Sequence, residues 1–547
     1  MKRCPECRRD YFDDSLLYCL DDGRALLEGP ASEDESATAI LQDPSSPIEA
    51  GTHSFEPRTA TATASIRDPL IVGAIGIGLF AAIVIGGYFY FSRTSTKQIE
   101  SIAVLPFINE SGNPDVEYLS DGMTESLINS LSTLPNLSVK ARNTVFRYKG
   151  KEIDEKKVGQ ELSVQAVLFG RFVQRGDDLT LSLSLVDSVT GNALWGEQYD
   201  RKMQDLSALR NDIARDVAQK LRTRLSIADT TNLTKNYTAN AEALRLYFYG
   251  RYSWSKRTAE SVRKSVEYFN QAIERDPQFA LAYSGLADAY VVPVLGMAPR
   301  DVMPKAKAAA TRALELDDTL AEAHTSLARV LQIYDWNWPE AEKEYKRAME
   351  LDPRYPLSHQ WYGGYLERTG RIDESLAERR IALEIDPLSA SAIFELGLGY
   401  FFARDYDQAI QQFRKALELE PGFPSATQML LIAYVQKGQY DLALTKIREV
   451  GEDNAPLGYA AQVYALAGRK DYAKRVLEKL DRRYQSGGIG REYVSATTFA
   501  FIFLALDDKD KAIEWLEKGF NERCFVRSVF AISFIAVALK PRAVPLS

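Results

Sequence analysis

Along most of the chain hydrophobic positions recur with a helical or a strand period, but residues 70–91 have no period. They read LIVGAIGIGLFAAIVIGGYFYF, with Arg67 before them, Arg93 after them and no charge inside. At the helical rise such a run spans roughly 33 Å, the thickness of a bilayer's hydrocarbon. Tyr88 and Tyr90 stand at its end, where amphipathic rings favour the interface. The pattern predicts one transmembrane helix over 69–92. Ala74, Gly78, Ala82 and Gly86 form a small-residue ridge along it. The ridge reads either as a homodimer seam or as ordinary small-residue usage in membrane helices.

Beyond that helix the period becomes mixed. Residues 102–107 (IAVLPF) read as a buried strand ending in proline, and 117–134 as an amphipathic helix with Leu119, Met123, Leu127, Ile128 and Leu131 on one face. Residues 137–141 are strand-like, 158–162 a short helix, and three alternating runs follow at 166–174, 179–187 and 193–199. Arg175-Gly176-Asp177-Asp178 is a hairpin turn between the first two runs, and 206–225 closes with a long helix. The expectation is an α+β domain, a sandwich, over 98–229.

The second half repeats itself. Helix-ending signals stand at Asp276, Asp317, Asp352, Asp386 and Glu420, most followed by proline, at steps of 41, 35, 34 and 34 residues. In 393–421, Gly397, Ala409 and Ala416 are small where paired helices cross, while Tyr400 and Phe413 are large. This pattern resembles the tetratricopeptide repeat, whose period is 34 residues. About eight units fit between 236 and 520, enough for a stable solenoid; 521–547 reads as a C-terminal cap or tail.

The middle domain carries a second resemblance. IAVLPF…EYLSDGMTESLINSLS, then GRFVQRGDDLTLSLSLVDSVTGNALWGEQYDR, is similar to the TolB-amino-terminal-like (FlgO-like) domain of bacterial proteins. The resemblance implies a domain that follows one membrane helix and precedes tetratricopeptide repeats. In that family a kinase, a cyclase or a winged-helix regulator often precedes the helix. This chain has no such half, and no catalytic residue carries over.

What precedes the membrane helix is short. Cys4-x2-Cys7 and Cys19-x2-Asp22 have the outline of a zinc ribbon over 1–28, with a carboxylate in the fourth place. Two readings stand: one zinc ion held by Cys4, Cys7, Cys19 and Asp22, or a ribbon that no longer binds metal. Residues 29–68 are rich in Pro, Ser, Thr and Ala and are expected to be a disordered linker. Thiols of this kind persist in the cytosol. That places the N-terminus in the cytoplasm and the C-terminal bulk outside, on a single-pass protein of the bacterial inner membrane.

Composition narrows the function. The net charge of −8 argues against nucleic acid as the partner. Phosphate-loop, G-x-S-x-G, H-E-x-x-H and kinase motifs are absent from the sequence, so no enzyme is expected. The expected function is a non-catalytic, membrane-anchored scaffold that holds a protein partner on the repeat array. The alternative is a transmembrane sensor that couples extracytoplasmic binding to the cytoplasmic ribbon. Repeat alignment places Gln360, Glu367, Phe394, Leu398, Phe401 and Gln428 on the inward face as the partner groove, or Phe394 and Phe401 as packing between repeats. The carboxylate clamp of the family uses Lys and Asn at such positions, and this chain lacks them.

Overall fold

The structure is a computed structural model. It describes residues 2–3, 10–11, 27–28, 99–134, 136–221, 235, 237–292, 297–451, 456–485 and 493–523. The four candidate zinc ligands, the linker, the helix over 69–92 with its ridge, and 524–547 lie outside the described residues. Among the described residues no helix is long and apolar enough to cross a membrane. The chain forms two compact units, 1–95 and 96–547. In the first, β1 (Lys2–Arg3) pairs antiparallel with β2 (Asp10–Tyr11) and with β3 (Leu27–Glu28).

The second unit opens with a mixed sheet: β4 (Ser101–Val104), β5 (Ile108–Asn109), β6 (Ser138–Val139), β7 (Ala166–Arg175), β8 (Asp178–Asp187) and β9 (Ala193–Lys202). The order is β6-β4-β7-β8-β9, with β5 beside β7. One strand was expected over 102–107. Two short ones form, because Pro106 has no N–H to give the ladder. β7, β8 and β9 are an antiparallel meander in the expected order. On β8, Leu179, Leu181, Leu183 and Leu185 are buried, whereas Thr180, Ser182 and Ser184 are only half-buried. Two helices, α1 (Glu117–Ser132) and α4 (Leu206–Lys220), pack against the sheet and each other. The domain is therefore one sheet covered by helices, the α+β arrangement expected. Two shorter helices complete it. α2 (Arg142–Phe146) had no signal in the hydrophobic pattern, and α3 (Glu155–Glu161) falls where a short helix was expected.

Helical pairs follow in series: α5/α6 (Ala241–Ser255, Ala259–Arg275), α7/α8 (Ala280–Val291, Pro299–Leu316), α9/α10 (Ala321–Val330, Trp338–Leu351) and α11/α12 (Pro356–Arg368, Ile372–Ile385). Then come α13/α14 (Ala390–Phe402, Tyr406–Leu419), α15/α16 (Pro424–Gln436, Tyr440–Val450), α17/α18 (Leu457–Leu466, Lys470–Gln485) and α19/α20 (Ala496–Ala505, Lys509–Asn521). The acidic helix-ending residues are the caps that make the period. Asp276, Asp317, Asp352, Asp386 and Glu420 each leave the helix extended, and each backbone N–H closes on the carbonyl of an alanine four residues back. Those alanines (272, 313, 348, 382 and 416) are completely buried, because larger side chains would hold the next helix away. Gly397 acts similarly: a Cβ there would lie 2.7 Å from the Phe413 ring.

The α+β domain and the first repeat share one core. Phe248 of α5 and Phe279 and Ala282 of the next repeat belong to the same buried cluster as Leu119, Met123 and Leu181. Tyr118 of α1 stacks on Tyr249 of α5, with ring centroids 3.4 Å apart. At the far end, the array contacts itself. Phe520 stacks on Trp336 at 5.1 Å, and Arg523 Nη1 donates to the Tyr334 carbonyl at 2.6 Å.

Candidate partner-binding chamber

The α+β domain and the inner helices of the repeats enclose a cavity of about 1690 Å³. Its walls come from α1 and α2 on one side and from α5, α9, α11, α13 and α15 on the other. Two hydrogen bonds from α2 hold the domain across it. Asn143 Nδ2 donates to Asp386 Oδ2 and Thr144 Oγ1 donates to Asp386 Oδ1, both at 2.9 Å. Nearby, Arg354 Nη2 donates to the Val139 carbonyl at 3.3 Å. Asp386 was legible only as a helix-ending residue. Burial raises its carboxyl pKa, and the Thr144 and Asn143 donors work against that rise.

A second polar cluster joins the domain to the first repeats. Buried Glu125 on α1 accepts from Arg251 Nη2 at 2.6 Å and from Arg142 Nε at 2.9 Å. Burial opposes its charge, yet Arg251 and Arg142 hold the carboxyl below the usual range. Arg251 also reaches Asp288, Nη1 to Oδ2 at 3.3 Å, and Ser326 Oγ donates to the other Asp288 oxygen at 2.6 Å. The ring of Trp254 lies under two guanidinium groups, Arg257 at 3.5 Å and Arg251 at 4.6 Å. Glu322, half-buried in the wall, is pushed up to about 7, mainly by desolvation. The chamber is basic: among the described residues its lining holds nine arginines and one lysine against six carboxylates.

Of the predicted groove residues, Gln360, Phe394 and Gln428 line this chamber. Gln360 is buried and accepts from Ser391 Oγ at 3.1 Å, whereas Gln428 is half-exposed. Phe394 is 4% exposed and meets the Phe423 ring edge-on at 5.2 Å. Leu398 and Phe401 are buried in the core of the fifth and sixth repeats, Phe401 edge-on to Tyr406 at 5.3 Å. Glu367 is buried too, and its carboxylate accepts from Arg379 Nη2 at 2.7 Å. Repeat alignment put Arg329 on the inward face, and the sequence reading missed the other arginines. The turn position gave no signal for them: it holds glycine in three repeats (Gly370, Gly438, Gly468) and Arg257, Trp336, Arg404 and Asp507 in four others, all at positive φ. Among the described residues no group of His, Cys, Asp and Glu is arranged to hold a metal ion.

This is a bacterial type of multidomain architecture: an α+β domain seated on a tetratricopeptide array. Residues 402–456 match the tetratricopeptide repeat family, and residues 97–216 match the family described as HilA/YgeH-like transcriptional regulator, second domain. Putative adenylate cyclase 3 of Rhizobium meliloti is 32% identical over 234 residues, covering 42% of this chain and 40% of that protein. Transcriptional regulator HilA of Salmonella typhimurium is 25% identical over 163 residues, 29% of each chain. The chain thus spans well under half the length of these curated relatives. A solved structure described as a functional characterisation of Pseudomonas aeruginosa pilF superposes with a TM-score of 0.30 at 24% identity. It covers 38% of this chain and 93% of that one.

Proposed function

We propose that the chain is a non-catalytic, membrane-anchored scaffold that captures a protein partner in the chamber between its α+β domain and its repeats. One observation carries this reading: the cavity of about 1690 Å³, walled by inner helices of a repeat type that serves protein interaction. Support for the anchor is the uncharged run at 70–91. The N-terminus lies in the cytoplasm and the bulk outside the inner membrane, with a zinc ion at Cys4, Cys7, Cys19 and Asp22 and a helix dimer along Ala74, Gly78, Ala82 and Gly86. The middle domain is of the TolB-amino-terminal-like kind. A photoreactive residue in place of Gln428, with cross-linking in cells and mass spectrometry, tests the reading. A discrete protein adduct is expected; a folded, correctly placed protein that gives none overturns it. Labelling of Cys4 by an impermeant maleimide in intact cells overturns the orientation.

The alternative is a sensor that passes binding in the chamber through the membrane helix to the ribbon. It draws support from relatives named as a cyclase and a transcriptional regulator. Replacing Cys4 and Cys7 by serine separates the two: a scaffold keeps its function, and a sensor loses it.

A further inference from the structure

Resting on the reading of the chamber as a partner site, we propose that Arg257, Arg251 and Arg142 form an anion-recognition subsite in it, and that the partner segment held there is an acidic peptide. The first argument is charge segregation. The chain carries a net −8, yet the chamber wall is dominated by arginine. Two of its carboxylates are already engaged: Glu125 is shared by Arg142 and Arg251, and Asp386 accepts from Asn143 and Thr144.

Arg257 is one of three exposed lining cations, with Arg147 and Lys256, whose charge is not taken up by a carboxylate among the described residues, and of the three it is the one stacked on Trp254. It is exposed, and among the described residues its side chain makes no hydrogen bond and no ion pair. Its backbone sits at φ 54°, in a turn that three other repeats fill with glycine and three more with Trp336, Arg404 and Asp507. Its guanidinium and that of Arg251 both lie against the ring of Trp254, at 3.5 and 4.6 Å. Stacking on an indole fixes a guanidinium plane and leaves its edge N–H groups free to pair with a carboxylate. Like charges gathered on one ring repel, and an incoming anion relieves that repulsion. The Trp254 Nε1 donor is also buried without a partner in the same wall. A free small anion does not account for the size of the space, because about 1690 Å³ exceeds the usual range for small-ligand pockets. An extended acidic segment fills it and meets the arginine corner with one side chain.

The test is fluorescence anisotropy on the full chain with a fluorescein-labelled oligoglutamate, alongside oligolysine and oligodeoxythymidylate of equal length. Oligoglutamate is expected to bind, oligolysine not, and added salt to weaken the complex. Arg257→Gly is expected to lose about tenfold in affinity with its melting temperature kept, since glycine suits the left-handed turn. Arg257→Lys should keep most of the binding. Unchanged affinity in Arg257→Gly, or complete displacement by an equal concentration of inorganic phosphate, overturns the peptide subsite. Preference for oligodeoxythymidylate overturns it in favour of a nucleic acid. Absence of oligoglutamate binding, with the Gln428 cross-link to a protein still present, overturns the acidic class and leaves the scaffold reading standing.

Discussion

Thr144 Oγ1 donates to Asp386 Oδ1 at 2.9 Å across 242 residues of sequence. One carboxylate at a repeat junction thereby ties the α+β domain to the middle of the array, across the chamber from the core that the domain shares with the first repeat. Asp386 is only 2% exposed, so both of its oxygens depend on the Asn143 and Thr144 donors. Asp386→Ala is expected to remove about 1–3 kcal/mol, the usual consequence of stranding a buried donor, here the Thr144 hydroxyl. Hydrogen exchange should speed up in α2 while α16 keeps its protection. Unchanged exchange in α2 would refute the tie.

Glu367 and Arg379 form an ion pair inside the repeat packing, at 2.7 Å and with both side chains at most 5% exposed. Glu395 lies 3.4 Å from the same guanidinium. Glu367→Ala should cost about 3–5 kcal/mol, because it leaves a buried guanidinium short of its counter-charge. Replacing both partners together, Glu367→Leu with Arg379→Met, should recover most of the loss. Denaturant unfolding of the single and double variants measures this, and additive losses would contradict it.

His324 gives the array a pH dependence. Its Nδ1 faces Glu344 Oε2 at 2.5 Å and its Nε2 faces the Asp318 carbonyl at 3.0 Å. Both neighbours accept, so the ring satisfies them as an imidazolium. Desolvation pulls its pKa down, but Glu344 and the Asp318 carbonyl outweigh it, and the net shift is upward. A raised pKa contributes stability that is complete below the unfolded value of about 6.5 and is lost as pH rises through the folded value. Melting temperature should therefore fall on going from mildly acidic to mildly alkaline buffer, and His324→Gln should flatten that slope. An equal slope in the variant would count against it. His359 and Glu378 repeat the arrangement one unit later, at 2.6 Å.

Gly122 marks where α1 meets the first repeat. A Cβ there would stand 2.5 Å from the Phe248 ring. Gly122→Ala should cost about 1–3 kcal/mol through overpacking, and Phe248→Leu in the same chain should return part of it. Calorimetric melting of the four species in the cycle decides; a neutral Gly122→Ala would show that the two helices are free to part.

Much of the architecture was legible because it is local. The repeat period lies in alanines and acidic caps a fixed number of residues apart, and each cap closes on its own helix. The β7–β9 meander lay in alternating leucines and a glycine turn. α2 was missed because a helix of five residues holds too little periodicity to stand out. Glu367 sat at an inward position by alignment, yet it turns to buried Arg379 on the other helix of its own repeat, a pairing that the hydrophobic period does not mark.

By itself the sequence determined the order of elements, the uncharged run at 70–91, the tetratricopeptide period and the caps that enforce it. Those follow from short-range chemistry, where hydrophobic period, helix caps and turns act within one or two elements. Only the tertiary structure decided that the α+β domain lies against the inner helices. It also decided that Asp386 serves as an acceptor as well as a cap, and that Arg251 of α5 reaches Glu125 of α1. Those contacts join residues more than a hundred positions apart, and their geometry depends on the accumulated turn of the repeats, which no local pattern records.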